Sequence, residues 1–190
     1  MAGDPKRRMI ESAMYLLATR GLQGTSFSEV LDHSGASRGS VYHHFPGGKT
    51  DLVAAAIDHA SERALAFVER TGGAGAHEVT ATFLQMWRGI LSRSNLEAGC
   101  SVLAVAIAAD VPELRESAAR VFRTWRTRMA ALLQKGGLRR NDAKGFAATL
   151  IAASEGAVAL SRAEKSLEPF ELTAAMLLEQ VDTLLLERIP

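Results

Sequence analysis

Apolar residues recur along this chain at spacings of three and four, and a strand-like alternation of period two persists nowhere. Such spacing writes helices with one buried stripe, and it predicts an all-α chain of about nine helices. Residues 1–4 read as a loose tail. Asp4 caps a first helix opened by Pro5, with Met9, Ile10, Ala13, Met14, Leu16 and Leu17 inward and Gly21 as its stop. Two short helices follow. A long one runs from Lys49 to about Arg70 on Leu52, Val53, Ala56, Ile57, Ala60, Ala64, Leu65 and Val68, and Thr71 to Gly75 break it. Beyond the break, 77–94 buries Val79, Phe83, Met86, Trp87, Ile90 and Leu91. The segment 100–109 is apolar all round, which predicts complete burial. Pro112 opens a helix with Leu114, Ala118, Val121, Phe122, Trp125, Met129 and Leu132 on one face, ended by Gly136-Gly137. Asn141 or Asp142 caps the next, which runs to about Ser166 and is rich in alanine. Pro169 opens the last, with Leu172, Ala175, Met176, Leu178, Leu185 and Ile189 as a broad apolar surface.

The short pair carries the chemistry. Thr25 or Ser26 can cap the first of them, and Phe27, Val30 and Leu31 give it an apolar face. Gly35 can take the left-handed conformation that closes a helix, and Ser37 can start the next. That next helix, Arg38 to Phe45, turns Val41 and Phe45 inward. It leaves Arg38, Ser40, Tyr42, His43 and His44 outward. Arg can fork onto guanine, Ser and His can donate to base edges, the Tyr hydroxyl reaches phosphate, and Gly39 admits a close backbone approach. A short helix presented across a glycine-containing turn is the form of a helix-turn-helix. The same pattern also fits a surface helical hairpin whose polar residues meet only water.

Gly21, Thr25, Val30, Gly35, Ser37, Gly39, Val41-Tyr42-His43-His44-Phe45, Lys49 and Leu52 together resemble the N-terminal signature of the TetR family of transcriptional regulators. The likeness covers roughly residues 5 to 60. Pro46-Gly47-Gly48 makes the link to Lys49 one residue longer than is usual there. That link and Gly99-Cys100-Ser101-Val102-Leu103-Ala104 resemble the LmrA/YxaF-like branch. The resemblance implies a helix-turn-helix DNA-binding head at 1–48, a connecting helix at 49–71 and a ligand-binding and dimerisation body at 76–190. It implies a homodimer on double-stranded operator DNA, repressing until a small apolar or aromatic effector releases it. The expected DNA contacts are Thr25, Ser26, Ser37, Arg38, Gly39, Ser40, Tyr42, His43, His44 and Lys49, with Lys49, Tyr42, Ser37 and Thr25 on phosphates. Lys6, Arg7 and Arg8 either join them or form a solvated basic end. The helices around 142–166 and 169–187 are expected to pair with those of a second copy, so that a charge at Ala157 or Leu178 breaks the dimer.

Composition narrows the alternatives. With 190 residues and a net charge of +1, the chain is no polybasic coat, and DNA affinity must come from a local patch. Residues 1–50 hold six basic side chains against four acidic ones. The lone Cys100 forbids an intrachain disulfide and suits a reducing cytoplasm. The polar N-terminus lacks a signal-peptide core, and the longest apolar run, Val102 to Ala109, is far too short for a bilayer. These features lead us to expect a cytoplasmic protein without a membrane partner, and the resemblance implies a regulator that is not an enzyme, with no cofactor and no metal. His43 and His44 are adjacent and make no helical metal pair.

In the body, Phe83, Met86, Trp87, Leu103, Ile107, Phe122, Trp125 and Phe146 are each ordinary core residues taken singly. The resemblance implies that some of them line an effector pocket, joined by Cys100 and Glu155. Glu155 either meets a polar ligand or points to solvent. Cys100 is either a redox sensor or an inert buried thiol. Arg115, Arg120, Arg123, Arg126 and Arg128 read as a solvated face with local ion pairs rather than as a second nucleic-acid patch. The reading from a different class is a helical small-molecule-binding protein or enzyme with a degenerate head.

Overall fold

The computed structural model describes residues 4–187. The expected tail at residues 1–3 and the apolar contribution of Ile189 lie outside the described residues. Among the described residues there are nine helices and no strand. They are α1 Pro5–Arg20, α2 Phe27–Ser34, α3 Arg38–His44, α4 Lys49–Glu69, α5 Ala76–Arg93, α6 Ser101–Ala108, α7 Pro112–Lys135, α8 Arg140–Glu164 and α9 Glu168–Leu186.

The termini show why the chain breaks where it does. The Asp4 side chain accepts from the Lys6 N–H at 3.1 Å, with Pro5 inside the first turn of α1. Gly35 closes α2 at φ 64°, its N–H donating to the Leu31 carbonyl. Ser26, not Thr25, caps α2: its Oγ accepts from the Glu29 N–H at 3.2 Å. At α8 neither Asn141 nor Asp142 is the cap. The helix starts at Arg140, and Asp142 in its first turn accepts from Arg139 Nε at 2.6 Å. A carboxylate there is favoured by the helix dipole as well as by the arginine.

Two compact units are formed, and neither is one stretch of chain. The first combines the described residues up to Arg63 with Cys100–Phe122; the second combines Ala64–Gly99 with the described residues from Arg123. In the first, α1 packs against α2, α3 and α6, around Met9, Leu16, Leu17, Val30, Val41 and Phe45. The segment 100–108 therefore associates with α1. It is not buried all round: Val102 and Val105 are enclosed, whereas Ile107 is 76% exposed. Asp58 on α4 accepts from Arg120 on α7 through both carboxylate oxygens, at 2.9 and 3.0 Å.

In the second unit, α5 packs on α8 and α9, and α8 packs on α9. His77 meets Asp182 at 2.8 Å and Arg88 meets Glu171 at 2.6 Å, so α5 and α9 run antiparallel. The Phe170 N–H donates to Ser161 Oγ, closing the short α8–α9 turn. On α7, Arg128 pairs with Glu69, and Leu133 rather than Leu132 is the fully buried leucine of the last turn. Local ion pairing of the α7 arginines is thus realised at Arg120 and Arg128. α8 has the length and apolar character of a membrane span. Its burial against α5 and α9, with Ser154 and Glu155 enclosed, marks it as a core helix of this unit.

Candidate nucleic-acid interface

The interface is built from α3 outward. Val41 and Phe45, four residues apart, are buried in the first unit and fix the helix by one edge. Arg38, Tyr42 and His43 are then exposed, and Ser40 and His44 half-exposed. Gly39 is also exposed, and a Cβ built there meets nothing of the chain within 4 Å. No packing inside the head therefore calls for glycine at this position, which is what a close approach from outside would leave. Ser37 stands at the α3 cap position without a side-chain cap bond, so its hydroxyl is exposed and uncommitted to the helix end.

Two of the expected phosphate contacts have partners inside the protein. Thr25 is buried, and its hydroxyl donates to the Gly21 carbonyl at 2.8 Å. Its side chain serves the α1–α2 connection. Lys49 Nζ donates to the Leu22 carbonyl at 2.9 Å, tying the first turn of α4 to the same connection. Partial burial pushes the Lys49 ammonium below its usual pKa, and the nearby Asp110 carboxylate works against that shift. Neither bond has a sequence signal, because each joins a side chain to a backbone carbonyl. The link before Lys49 is more legible. Gly48 sits at φ +77°, and the Gly47 N–H donates to Asp51 Oδ2 at 2.7 Å. A Cβ on Gly47 would collide with that carboxylate.

Aromatic contacts complete the face. Phe27, in the first turn of α2, meets Tyr42 edge-on, with ring centroids 6.2 Å apart at 62°. His43 and His44 meet edge-on at 4.9 Å. Below the face, Tyr15 of α1 stacks on His33 of α2 at 5.0 Å. Arg8 Nε donates to the Ser34 carbonyl, and Arg7 pairs with Glu11, so the basic start of α1 is partly used within the head.

The residues expected around an effector divide between the units. Phe83, Met86, Trp87, Trp125, Phe146 and Glu155 belong to the second; Cys100, Leu103, Ile107 and Phe122 belong to the first. The exposure of Ile107 removes it from any enclosed lining. Glu155 is buried rather than turned to solvent, and Phe83, Trp87, Trp125 and Phe146 are buried with it. Cys100 acts as the α6 cap, its Sγ accepting from the Leu103 N–H at 3.3 Å. Sequence reasoning missed two atoms. Trp87 Nε1 on α5 and Ser154 Oγ on α8 are buried, and neither has a hydrogen-bond partner among the described residues. A buried donor in that state is costly, and in native proteins it calls for an explanation.

A capped helix, a left-handed glycine turn and a short second helix with its polar side chains in solvent define a helix-turn-helix DNA-binding protein, here within an all-α chain. Residues 9–56 match the bacterial regulatory proteins of the tetR family, and residues 76–176 match the C-terminal domain of LmrA/YxaF-like transcriptional regulators. The chain belongs to the TetR family of transcriptional regulators, with a body of the LmrA/YxaF-like kind. It is 34% identical over 193 residues to an uncharacterized HTH-type transcriptional regulator of Mycobacterium tuberculosis, covering 98% of this chain and 96% of the relative. It is 25% identical over 176 residues to the HTH-type transcriptional regulator LmrA of Bacillus subtilis, covering 88% and 91%. The crystal structure of a TetR transcriptional regulator from Chloroflexus aurantiacus superposes with a TM-score of 0.77 at 30% identity, over 95% of this chain and 96% of that one. These relatives are described as regulators of transcription.

Proposed function

We propose that this regulator is a cytoplasmic repressor that binds a near-palindromic operator as a homodimer and leaves it when a small, mainly apolar effector enters the body. The observation that carries the DNA reading is the face of α3. Arg38, Gly39, Tyr42 and His43 stand clear, with Ser40 and His44 half-exposed beside them, on a helix whose other edge is buried. Arg38 reads a guanine edge; the Tyr42 and Ser37 hydroxyls and the ammonium of Lys49 bind phosphates, Lys49 by exchanging the Leu22 carbonyl for a phosphate oxygen.

One two-turn helix is a small footprint, so two heads on symmetric half-sites are required. The outward face of α8 and α9 supports pairing. Leu160, Leu172 and Met176 are more than half exposed on these helices, and Met176 also lines a shallow groove with Ala153, Thr173, Leu177, Glu179, Gln180 and Thr183. An apolar face of that kind marks an interaction surface. The effector reading is supported by the enclosed aromatic side chains of the second unit and by the unsatisfied Trp87 N–H.

The test is titration of a labelled duplex from upstream of the protein's own gene, against a mixed-sequence duplex, over a series of salt concentrations. Preferential, steeply salt-dependent binding with two protomers per site is expected. Equal, weak affinity for both duplexes would sink the operator reading and leave the helical small-molecule-binding alternative.

A further inference from the structure

We infer that Phe27 is a positioning residue for DNA binding: its ring holds the exposed Tyr42 side chain in the orientation that delivers the hydroxyl to a phosphate. The inference rests on the DNA reading of α3 above. Tyr42 is 71% exposed, so the head core does not fix its rotamer. Its backbone is held, because Val41 beside it is buried, but the side chain itself projects into solvent. Among the described residues its one ring neighbour is Phe27, in edge-to-face contact. Phe27 is well placed for this task. It is the first residue of α2, directly after the Ser26 cap, so its backbone is set by the bond from the Glu29 N–H. Its ring is only half buried, which leaves an aromatic face at the surface beside α3.

An exposed tyrosine without a neighbour samples several rotamers and must give up that freedom when it meets DNA. A ring that already selects one rotamer moves this ordering into folding, and binding gains by the difference. Edge-to-face pairs of this kind are worth about two- to tenfold in an equilibrium constant. An aliphatic residue at position 27 would fill the apolar side of α2 equally well. It would offer no ring to the tyrosine.

The experiment is a double-mutant cycle on the full chain, read by fluorescence anisotropy with a mixed-sequence duplex at low salt. That duplex suffices because a phosphate contact is independent of sequence. Phe27→Leu is expected to weaken binding about two- to tenfold, and Tyr42→Phe to weaken it by a similar factor through loss of the hydroxyl. In the Tyr42→Phe background, Phe27→Leu should change nothing further, since there is no hydroxyl left to place. Phe27→Tyr, which keeps a ring, should retain wild-type affinity. A loss through damaged folding would appear equally in both backgrounds, so the cycle separates it from positioning. Independent, multiplying losses would overturn the inference, as would a Phe27→Tyr variant as weak as Phe27→Leu. If Tyr42→Phe binds like wild type, Tyr42 does not donate to phosphate and the inference falls, while the operator reading still stands on Arg38. If the wild-type chain itself binds no duplex, the operator reading fails, and that result is distinct from all of these.

Discussion

At the scale of single residues, the head separates anchoring from reading. Val41 and Phe45 supply the burial that fixes α3, and Arg38, at its exposed start, takes no part in that core. Arg38→Ala should therefore leave the melting temperature unchanged and cost about 1–3 kcal/mol on the operator, with the penalty concentrated at one base pair. Titration against operators substituted position by position checks this; a loss that is the same for every sequence would take Arg38 out of base readout. Gly39→Ala makes the complementary test. The added methyl meets open space in the free protein, so folding should tolerate it while operator binding falls. Lys49 does not separate so cleanly. Its bond to the Leu22 carbonyl makes it part of the head as well as a candidate phosphate anchor. Lys49→Ala should lower unfolding stability by about 1–2 kcal/mol. It should also flatten the salt dependence of binding by about one unit, equally for all sequences. Chemical denaturation and a salt series on the same preparation measure the two effects apart.

At the scale of helices, the apolar face of α9 and the small residues of α8 make opposite predictions for two similar changes. Met176 is 65% exposed, so Met176→Glu should leave the fold intact and dissociate the proposed dimer, because pairing would bury an unpaired charge at a cost of several kcal/mol. Ala157 is buried within its own chain, so Ala157→Glu should unfold the body rather than merely separate protomers. Sedimentation beside circular dichroism distinguishes the outcomes, and an unaltered Met176→Glu dimer would place the pairing surface elsewhere. Ala157 also shows what the sequence does not carry. Along α8, Ala147 and Ala157 face the core while Ala152 and Ala159 face solvent, and alanine spacing alone assigns neither side. α6 failed for the related reason that a helix apolar at every position has no written face. Its partner α1 is remote in sequence, so nothing local states that Val102 is covered and Ile107 is not. Signals that act within a few residues were legible: Asp4 with Pro5, the left-handed Gly35, and Gly136 after α7. The outward set of α3 was legible too, since two buried positions four apart determine the orientation of a seven-residue helix. The bonds from Thr25 and Lys49 to backbone carbonyls, and the ring contact of Phe27 with Tyr42, arise only once separate elements have met.

At the scale of the whole molecule, regulation requires that the effector bind the operator-competent and operator-incompetent states with different affinities. Two helices bear on this by connectivity alone: α4 and α7 each begin in the first unit and end in the second. A ligand that reorganises the end of either helix acts on a continuous element whose other part packs in the unit that carries α3. Coupling of about 1–3 kcal/mol, roughly 5- to 150-fold in affinity, is the usual size for such a device. Linkage makes it reciprocal, so operator DNA must weaken the effector by the same factor by which the effector weakens DNA. The protein contains two tryptophans, Trp87 and Trp125, both buried in the second unit, so their fluorescence reports there. A compound that releases the operator should change that fluorescence. Its apparent affinity, followed by the same signal, should fall when saturating operator is added. Trp87→Phe keeps a ring and removes the indole N–H, and it should raise the concentration needed for release if the effector accepts that hydrogen bond. Release that proceeds with unchanged fluorescence, and at unchanged concentration in a Trp87→Phe, Trp125→Phe double variant, would show that the effector binds away from both tryptophans.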